Sequence, residues 1–432
     1  MTTLRIAGGR VLGPDMSVSR ADVLADRESG EIVAVGDPGA VDAGDEALDA
    51  AGCLVMPGLV NAHCHAAMTL LRGYADDKPL EAWLREDVWP VEAELTDADV
   101  RAGADLALVE LIRAGTTAFA DMYFSMPAVA EAVANAGVRA RLGHGVVTVG
   151  KDEAAARADH EESLSFAREY DGYAGGRVRT MYAPHSLTTV DEELLREYVP
   201  AAREAGVPVH YHANETADEV GPIVAEHGVR PLEYADDVGL LGASDFLAHG
   251  VHTDATEVEL LAERGTAVVH CPASNMKLAS GAAPVPAYRE AGVTVALGTD
   301  GAASNNDLDL FDEMRDAAML GKHAAGDASA VPADTVVEMA TAGGADALGF
   351  DAGRIEVGRQ ADLAVVDFEA VHLPPSHDAV SNLAYAARGS DVRHTVCGGD
   401  VVMRDGEVTT LDEAAVRERA AGHAADLAAR AE

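Results

Sequence analysis

Residues 58–65 run Gly58-Leu59-Val60-Asn61-Ala62-His63-Cys64-His65, a short apolar stretch that leaves a turn-like Met56-Pro57 and ends in two histidines. In extended chain, residues i and i+2 face the same side, so His63 and His65 can offer two imidazoles to one ion. Such a pair alone is weak, because it also arises on exposed strands. The runs that follow decide the fold: GTTAFAD (115–121), VRARLGH (138–144), VRTMYAPH (178–185), VPVHYH (207–212), FLAHG (246–250), TAVVH (266–270) and VTVALGTD (293–300). Each reaches a His or Asp at or near its C-terminal end, and helical stretches separate them. That alternation implies a parallel α/β sheet. Eight such units imply a (β/α)8 TIM-type barrel, whose active site lies at the C-terminal ends of the strands.

Outside these units the texture changes. LRIAGGRVL (4–12), GEIVAVGD (30–37) and AGCLVMPG (51–58) read as short strands broken by glycines. RIEVGRQADLAVVDF (354–368) and HTVCGGDVVMRDGEV (394–408) match them. The expected organisation is a small β-sandwich domain built from both termini, residues 1–57 and 350–432, around a catalytic barrel at 58–349. Residues 411–432 read as a C-terminal helix by propensity and charge spacing.

The chain has 432 residues, 48% of them hydrophobic, which is ample for a barrel-sized core plus a smaller partner. Its formal net charge is -41, from 73 acidic and 32 basic residues. Such a surface repels phosphate backbones and anionic lipid, which argues against nucleic acid and membranes and for a small-molecule partner. Lysine occurs only at Lys78, Lys151, Lys277 and Lys322. An acidic, lysine-poor chain suits a salt-rich, halophilic cytoplasm, where counterions screen self-repulsion. Cys53, Cys64, Cys271 and Cys397 form no CxxC pair and no disulfide framework. The opening MTTLRIAGGRVLGPD lacks a basic-then-apolar leader, and no apolar run is long enough for a bilayer. A cytoplasmic protein is expected, and a homo-oligomer, with the sheet domain and C-terminal helix available for self-association.

The fifth run continues as His210-Tyr211-His212-Ala213-Asn214-Glu215. His210 and His212 share a face, and either could ligate. Glu215 can reach the edge of an ion without ligating it. The sixth run supplies His249. The eighth ends in Asp300, at a strand tip where a helix N-cap would also sit. Together His63, His65, His212 and Asp300 make a three-His, one-carboxylate set suited to Zn²⁺ or Fe²⁺. A water in the remaining position would have its pKa lowered to about 7. His210 reads as packing or support for the ligands and His270 as structural. Asn275 and Asn306 either order ligands and loops or are ordinary turn residues. Cys64 and Cys271 read as packing residues, since neither has an evident basic partner.

MPGLVNAHCH, HYHANET, the lone His249, HCPASNMKL, GTDGAASNN and GRIEVGRQADLAVVD together resemble the amidohydrolase superfamily over nearly the whole chain. The resemblance implies a metal-bearing barrel with a small β-sandwich from both termini. Many members hold two metals bridged by a carboxylated lysine at the end of strand four. Here that run ends Tyr182-Ala183-Pro184-His185, and none of the lysines lies there. One divalent ion is therefore expected, zinc first and iron(II) second.

Trp89-Pro90-Val91-Glu92, Gly115-Thr116-Thr117 and Asp121-Met122-Tyr123-Phe124 most closely resemble the 5-methylthioadenosine/S-adenosylhomocysteine deaminases. This implies that Glu92 accepts the ribose hydroxyls, sensible two-oxygen chemistry, and that His185 lies against the nucleoside. Several relatives carry an Arg at the end of strand three that meets the substrate's amino-acid tail. Here the run is Arg141-Leu142-Gly143-His144, with Arg139 and Arg141 expected to face elsewhere. His144 therefore joins the substrate-binding set. Methylthioadenosine, 5′-deoxyadenosine and adenosine stand beside S-adenosylhomocysteine as substrates.

The implied reaction is hydrolytic deamination. Activated water attacks C6 of the purine, Asp300 assisted by His249 takes the water's proton, Glu215 protonates the neighbouring ring nitrogen, and ammonia leaves. A deaminase or chlorohydrolase of a free base or triazine ring is the alternative on the same site. Glu92 discriminates, because only a ribosyl substrate needs it. A catalytically inactive scaffold of this fold is the alternative of another class, and the full set of candidate ligands with Glu215 argues against it.

Overall fold

The apolar runs become strands because small and β-branched residues bury on both faces of a parallel sheet. In the computed structural model, which describes residues 2–431, these strands are, in order, Leu59–His65, Thr116–Tyr123, Arg139–Val146, Val178–Thr180 continued by Ala183–Pro184, His210–Ala213, Phe246–His249, Ala267–His270, and Val295–Leu297 continued by Asp300–Gly301. Neighbours pair in parallel. Bridges from Tyr182 to Val209 and from Ser186 to His212 join the fourth strand to the fifth. Pairing of Cys64 with Asp300 and of His65 with Gly301 joins the first to the eighth, and the barrel closes.

The eighth strand breaks at Gly298-Thr299. A Cβ on Gly298 would lie 2.8–2.9 Å from backbone and Cβ atoms of His63. The chain can lean that closely on the first strand only where no side chain exists. Inside the barrel, Val60, Ala118, Phe246, Val269 and Ala296 form one apolar cluster with Ala345, Leu348 and Phe350. The filling is side-chain packing, as in a barrel core, and no pore is needed.

Helices such as Asp97–Arg113, Met126–Ala136 and Glu153–Tyr170 separate the strands, and Leu310–Ala325 follows the last of them. No helix among the described residues is long and apolar enough to cross a membrane. A longer excursion follows the first strand: a 3₁₀ turn at Ala66–Leu71, then helical turns from Leu80 to Glu92. These widen to a π-turn at Leu84–Val88, just ahead of Pro90, whose missing N–H cannot continue the ladder. Glu92 sits at the end of this segment.

Both termini build two further sheets. A four-stranded sheet orders Glu31–Gly36, Asp22–Asp26, Thr3–Ala7 and Glu46–Asp49. In a seven-stranded sheet, Cys53–Pro57 lies antiparallel to Leu363–Asp367, with Met56 opposite Ala364. Leu4, Ile6, Val23 and Leu48 of the first sheet share an apolar cluster with Val55, Leu363, Val365 and Val396 of the second. The run LRIAGGRVL, read as one strand, is two. Thr3–Ala7 and Arg10–Leu12 belong to different sheets and part at Gly8, whose φ is +89°.

The C-terminal helix, Glu413–Ala431, was grouped with the sheet domain on sequence. It packs along the barrel helix Asp97–Arg113. Arg419 reaches Asp105 at 2.7 Å, and His423 and Arg430 reach Asp99 at 2.7 and 2.5 Å.

Candidate metal centre

The first, fifth, sixth and eighth strands end around one point. Buried ligand atoms of His63, His212, His249 and Asp300 all lie within 4.8 Å of one another. His65 joins them: its Nε2 is 3.2 Å from Asp300 Oδ1, beside His63 Nε2 at 3.4 Å. The backbone is bent to achieve this. His249 and Asp300 have φ of 75° and 60°, a region that costs a residue with a Cβ about 1–3 kcal/mol and persists where the surroundings over-determine it.

Hydrogen bonds on the far side of each ring decide which nitrogen faces the centre. His65 Nδ1–H donates to the Met122 carbonyl and His212 Nδ1–H to the His185 carbonyl, both at 2.7 Å. His210 Nδ1–H donates to the Phe246 carbonyl at 2.9 Å, so its Nε2 accepts from His63 Nδ1–H at 2.8 Å. These three rings, His63, His65 and His212, therefore turn Nε2 to the centre. His249 is wired the other way. Asn275 Nδ2 donates to its Nδ1 at 3.0 Å, which leaves the proton on Nε2.

His63 Nε2 is buried and, among the described residues, without a hydrogen-bond partner. A buried lone pair left unsatisfied is costly, and a cation satisfies it. The His-His-His-Asp group fits a single divalent ion.

The Asp300 carboxylate dominates the electrostatics of the cluster. Burial pulls His65 down, but the facing Asp300 outweighs it and lifts the ring to about 9. Burial pushes Asp300 up, but the imidazoles of His63 and His65 facing its Oδ1 hold it well below the ordinary carboxylate range. Burial lowers His63 and His249 to about 4. Asp300 thus faces one cationic ring, His65, beside neutral His63 and His249, and a bound cation would displace the His65 proton.

Glu215 stands at the edge of this cluster, its Oε2 3.7 Å from His249 Nε2, while Ser280 Oγ donates to Oε1 at 3.4 Å. Burial, aided by the Asp300 charge, raises its carboxyl to about 8. Glu219 accepts the Glu215 backbone N–H at 2.8 Å. Glu92, partly buried, accepts from the Tyr123 hydroxyl at 2.6 Å, and the Tyr123 ring is 6.1 Å from that of His65. Burial lifts Glu92 to about 7 against that hydrogen bond. The His185 ring is 4.7 Å from the His212 ring, with Nδ1 2.9 Å from Thr189 Oγ1.

His144 stands apart from the imidazole cluster. It is buried, 6.1 Å from the Phe124 ring, and its Nδ1 is 3.5 Å from Glu162. Neither nitrogen has a hydrogen-bond partner among the described residues. Arg139 and Arg141 do face elsewhere, committed to Asp362 and to the carbonyls of Leu348 and Thr180. Asn306 orders loops, accepting from Lys277 and Arg72. All four cysteines are free and buried.

Sequence reasoning missed two groups beside Asp300. Ser274 and Ser304 each donate to its Oδ2 at 2.7 Å. Both lie in quoted motifs, HCPASNMKL and GTDGAASNN, but attention went to the neighbouring asparagines. Tyr123 and Glu219 were missed too, because only tertiary contact reveals their partners.

Residues 54–402 match the amidohydrolase family model. The chain is 73% identical over 429 residues to a protein of Halobacterium salinarum named 5-methylthioadenosine/S-adenosylhomocysteine deaminase, covering 99% of each chain. It is 46% identical to the 5′-deoxyadenosine deaminase of Methanosarcina mazei, covering 93% of each. Among solved structures, an adenosine deaminase from Xanthomonas campestris with bound zinc superposes with a TM-score of 0.93 at 38% identity, over 99% of both chains.

Proposed function

The chain belongs to the amidohydrolase family, and from that premise we propose that it hydrolyses the 6-amino group of an adenine nucleoside to give the inosine analogue and ammonia. It is a metal-dependent hydrolase of C–N bonds in cyclic amidines. We assign His63, His65, His212 and Asp300 as holders of one zinc ion, because these three rings donate through Nδ1 and turn Nε2 inward, and His249 aims a proton.

When bound, the ion lowers the pKa of a water to about 7 and so supplies the nucleophile. The His249 Nε2–H orients that water by donating to its oxygen. Asp300, whose Oδ1 faces the cluster, receives the water's proton. Glu215 is the observation that carries the reading. Its Oε2 lies 3.7 Å from Nε2 of the ring that orients the water, and burial raises the carboxyl so that it keeps a proton to give. It protonates the purine nitrogen next to C6, the proton held by Asp300 passes to the amine, the C6–N bond breaks as ammonia leaves, and Glu215 takes back the proton of the C6 hydroxyl as the carbonyl forms. Glu92, steadied by Tyr123, accepts the two ribose hydroxyls, and His185 packs beside the base.

His144 bears on the 5′ substituent. Burial holds this imidazole below its ordinary value, and Glu162 is the charge nearest its Nδ1. It offers no fixed cation to a carboxylate tail. Methylthio, deoxy and hydroxyl substituents are accordingly preferred to the homocysteine tail. Ammonia release from methylthioadenosine, 5′-deoxyadenosine, adenosine and S-adenosylhomocysteine in high salt tests both parts. Turnover of none removes the deaminase reading, and a preference for S-adenosylhomocysteine removes the role of His144. Cytoplasmic residence and self-association belong to the same proposal, the latter measured by light scattering.

A further inference from the structure

Asp300 is held on both of its oxygens. Oδ1 faces His63 and His65. Oδ2 accepts from Ser274 Oγ and Ser304 Oγ, each at 2.7 Å. The serines are 0% and 2% exposed and come from separate segments. Ser274 lies in the helix Pro272–Lys277 after the seventh strand, and Ser304 in the turn after the eighth. Buried Glu313 ties the two segments together: its Oε1 accepts from Asn305 Nδ2 at 2.5 Å and its Oε2 from the Ala273 backbone N–H at 3.3 Å. Each of those donors is one residue from a serine.

A carboxylate can take a cation on one oxygen or on both. Two hydroxyls occupy both lone-pair directions of Oδ2, and only Oδ1 is left for an ion. Alanine would fill the same space without burying a hydroxyl, a group that is expensive to bury unpaired. We propose that Ser274 and Ser304 are positioning residues that keep Asp300 a one-oxygen ligand. With three imidazole nitrogens this makes four protein ligands and leaves the next coordination position to water. The inference rests on the assignment of Asp300 as a ligand.

The test uses Ser274→Ala, Ser304→Ala and the double variant. Cobalt(II) replaces zinc as a visible probe, affinity is measured by chelator competition, and melting of the metal-free proteins checks folding. Each single variant should bind metal about tenfold more weakly and the double variant about a hundredfold. The double variant's cobalt spectrum should change as Asp300 turns its second oxygen to the ion. The single variants keep the test open if the double variant does not fold. Wild-type affinity with an unaltered cobalt spectrum overturns the proposal. Metal retained by Asp300→Ala overturns instead the ligand assignment beneath it.

Discussion

His63 Nδ1 and His210 Nε2 lie 2.8 Å apart, and the second ring's Nδ1 is anchored to the Phe246 carbonyl at 2.9 Å. This relay sets which nitrogen of His63 turns to the centre of the cluster. His210→Phe keeps an aromatic ring but deletes the acceptor, so a buried N–H loses its partner at about 1–3 kcal/mol. The metal dissociation constant should rise about 10–100-fold, read by chelator competition. Unaltered affinity would show that His210 is filler.

Glu215→Gln removes one proton from the reaction and little from the packing. Metal content, measured by atomic absorption, should match the parent. The rate constant for ammonia release should fall at least about 10²–10⁴-fold, the span of a lost general acid. A variant that still turns over excludes Glu215 from proton transfer.

Two raised carboxyls set the pH profile. Glu92 must be ionised to accept hydroxyls, and burial places it near 7, so kcat/KM should climb with pH through about 7. Glu215 must be protonated to donate, and burial with Asp300 places it near 8, so kcat/KM should decline above about 8. The result is a narrow bell. Glu92→Gln should lose the acid limb and keep the alkaline one. A profile flat from pH 6 to 9 contradicts both assignments.

Glu92→Ala should separate nucleoside from base. Hydrogen bonds to a charged acceptor contribute about 1.5–3 kcal/mol. KM for methylthioadenosine should therefore rise roughly 10–150-fold, while any turnover of free adenine is unchanged. Equal losses on both compounds would put Glu92 elsewhere in the mechanism.

A charge of -41 on 432 residues repels itself. The screening length contracts from about 30 Å at 0.01 M salt to about 3 Å at 1 M. The melting temperature should climb steadily with added KCl over that range. Full stability in dilute buffer would contradict adaptation to high salt.

Much of the barrel was legible because strand parity is local. His63 and His65 share a face whatever the rest of the chain does, and Asp300 closes a run that reads as a strand. The linking hydrogen bonds were not legible. Nothing near Asn275 in sequence names His249, and nothing near Ser274 names Asp300, since each pair forms only when separate strands end side by side. The strands Val18–Arg20 and Asp22–Asp26 were invisible because their alternation is too short to register. The docking of the C-terminal helix was not legible because its partners, Asp99 and Asp105, are acids in a chain full of acids. Only docking singles them out.

The pairing of Met56 with Ala364 has a consequence for synthesis. A ribosome releases the N-terminal strands long before the segment that completes their sheet exists. Until then Cys53–Pro57 carries an open edge, the kind of surface that invites neighbouring chains to add themselves. So non-local a contact also slows folding. The nascent chain therefore spends the whole translation of its barrel with one seam undone, and expression hosts that translate fast or hold little chaperone should yield aggregate in place of enzyme.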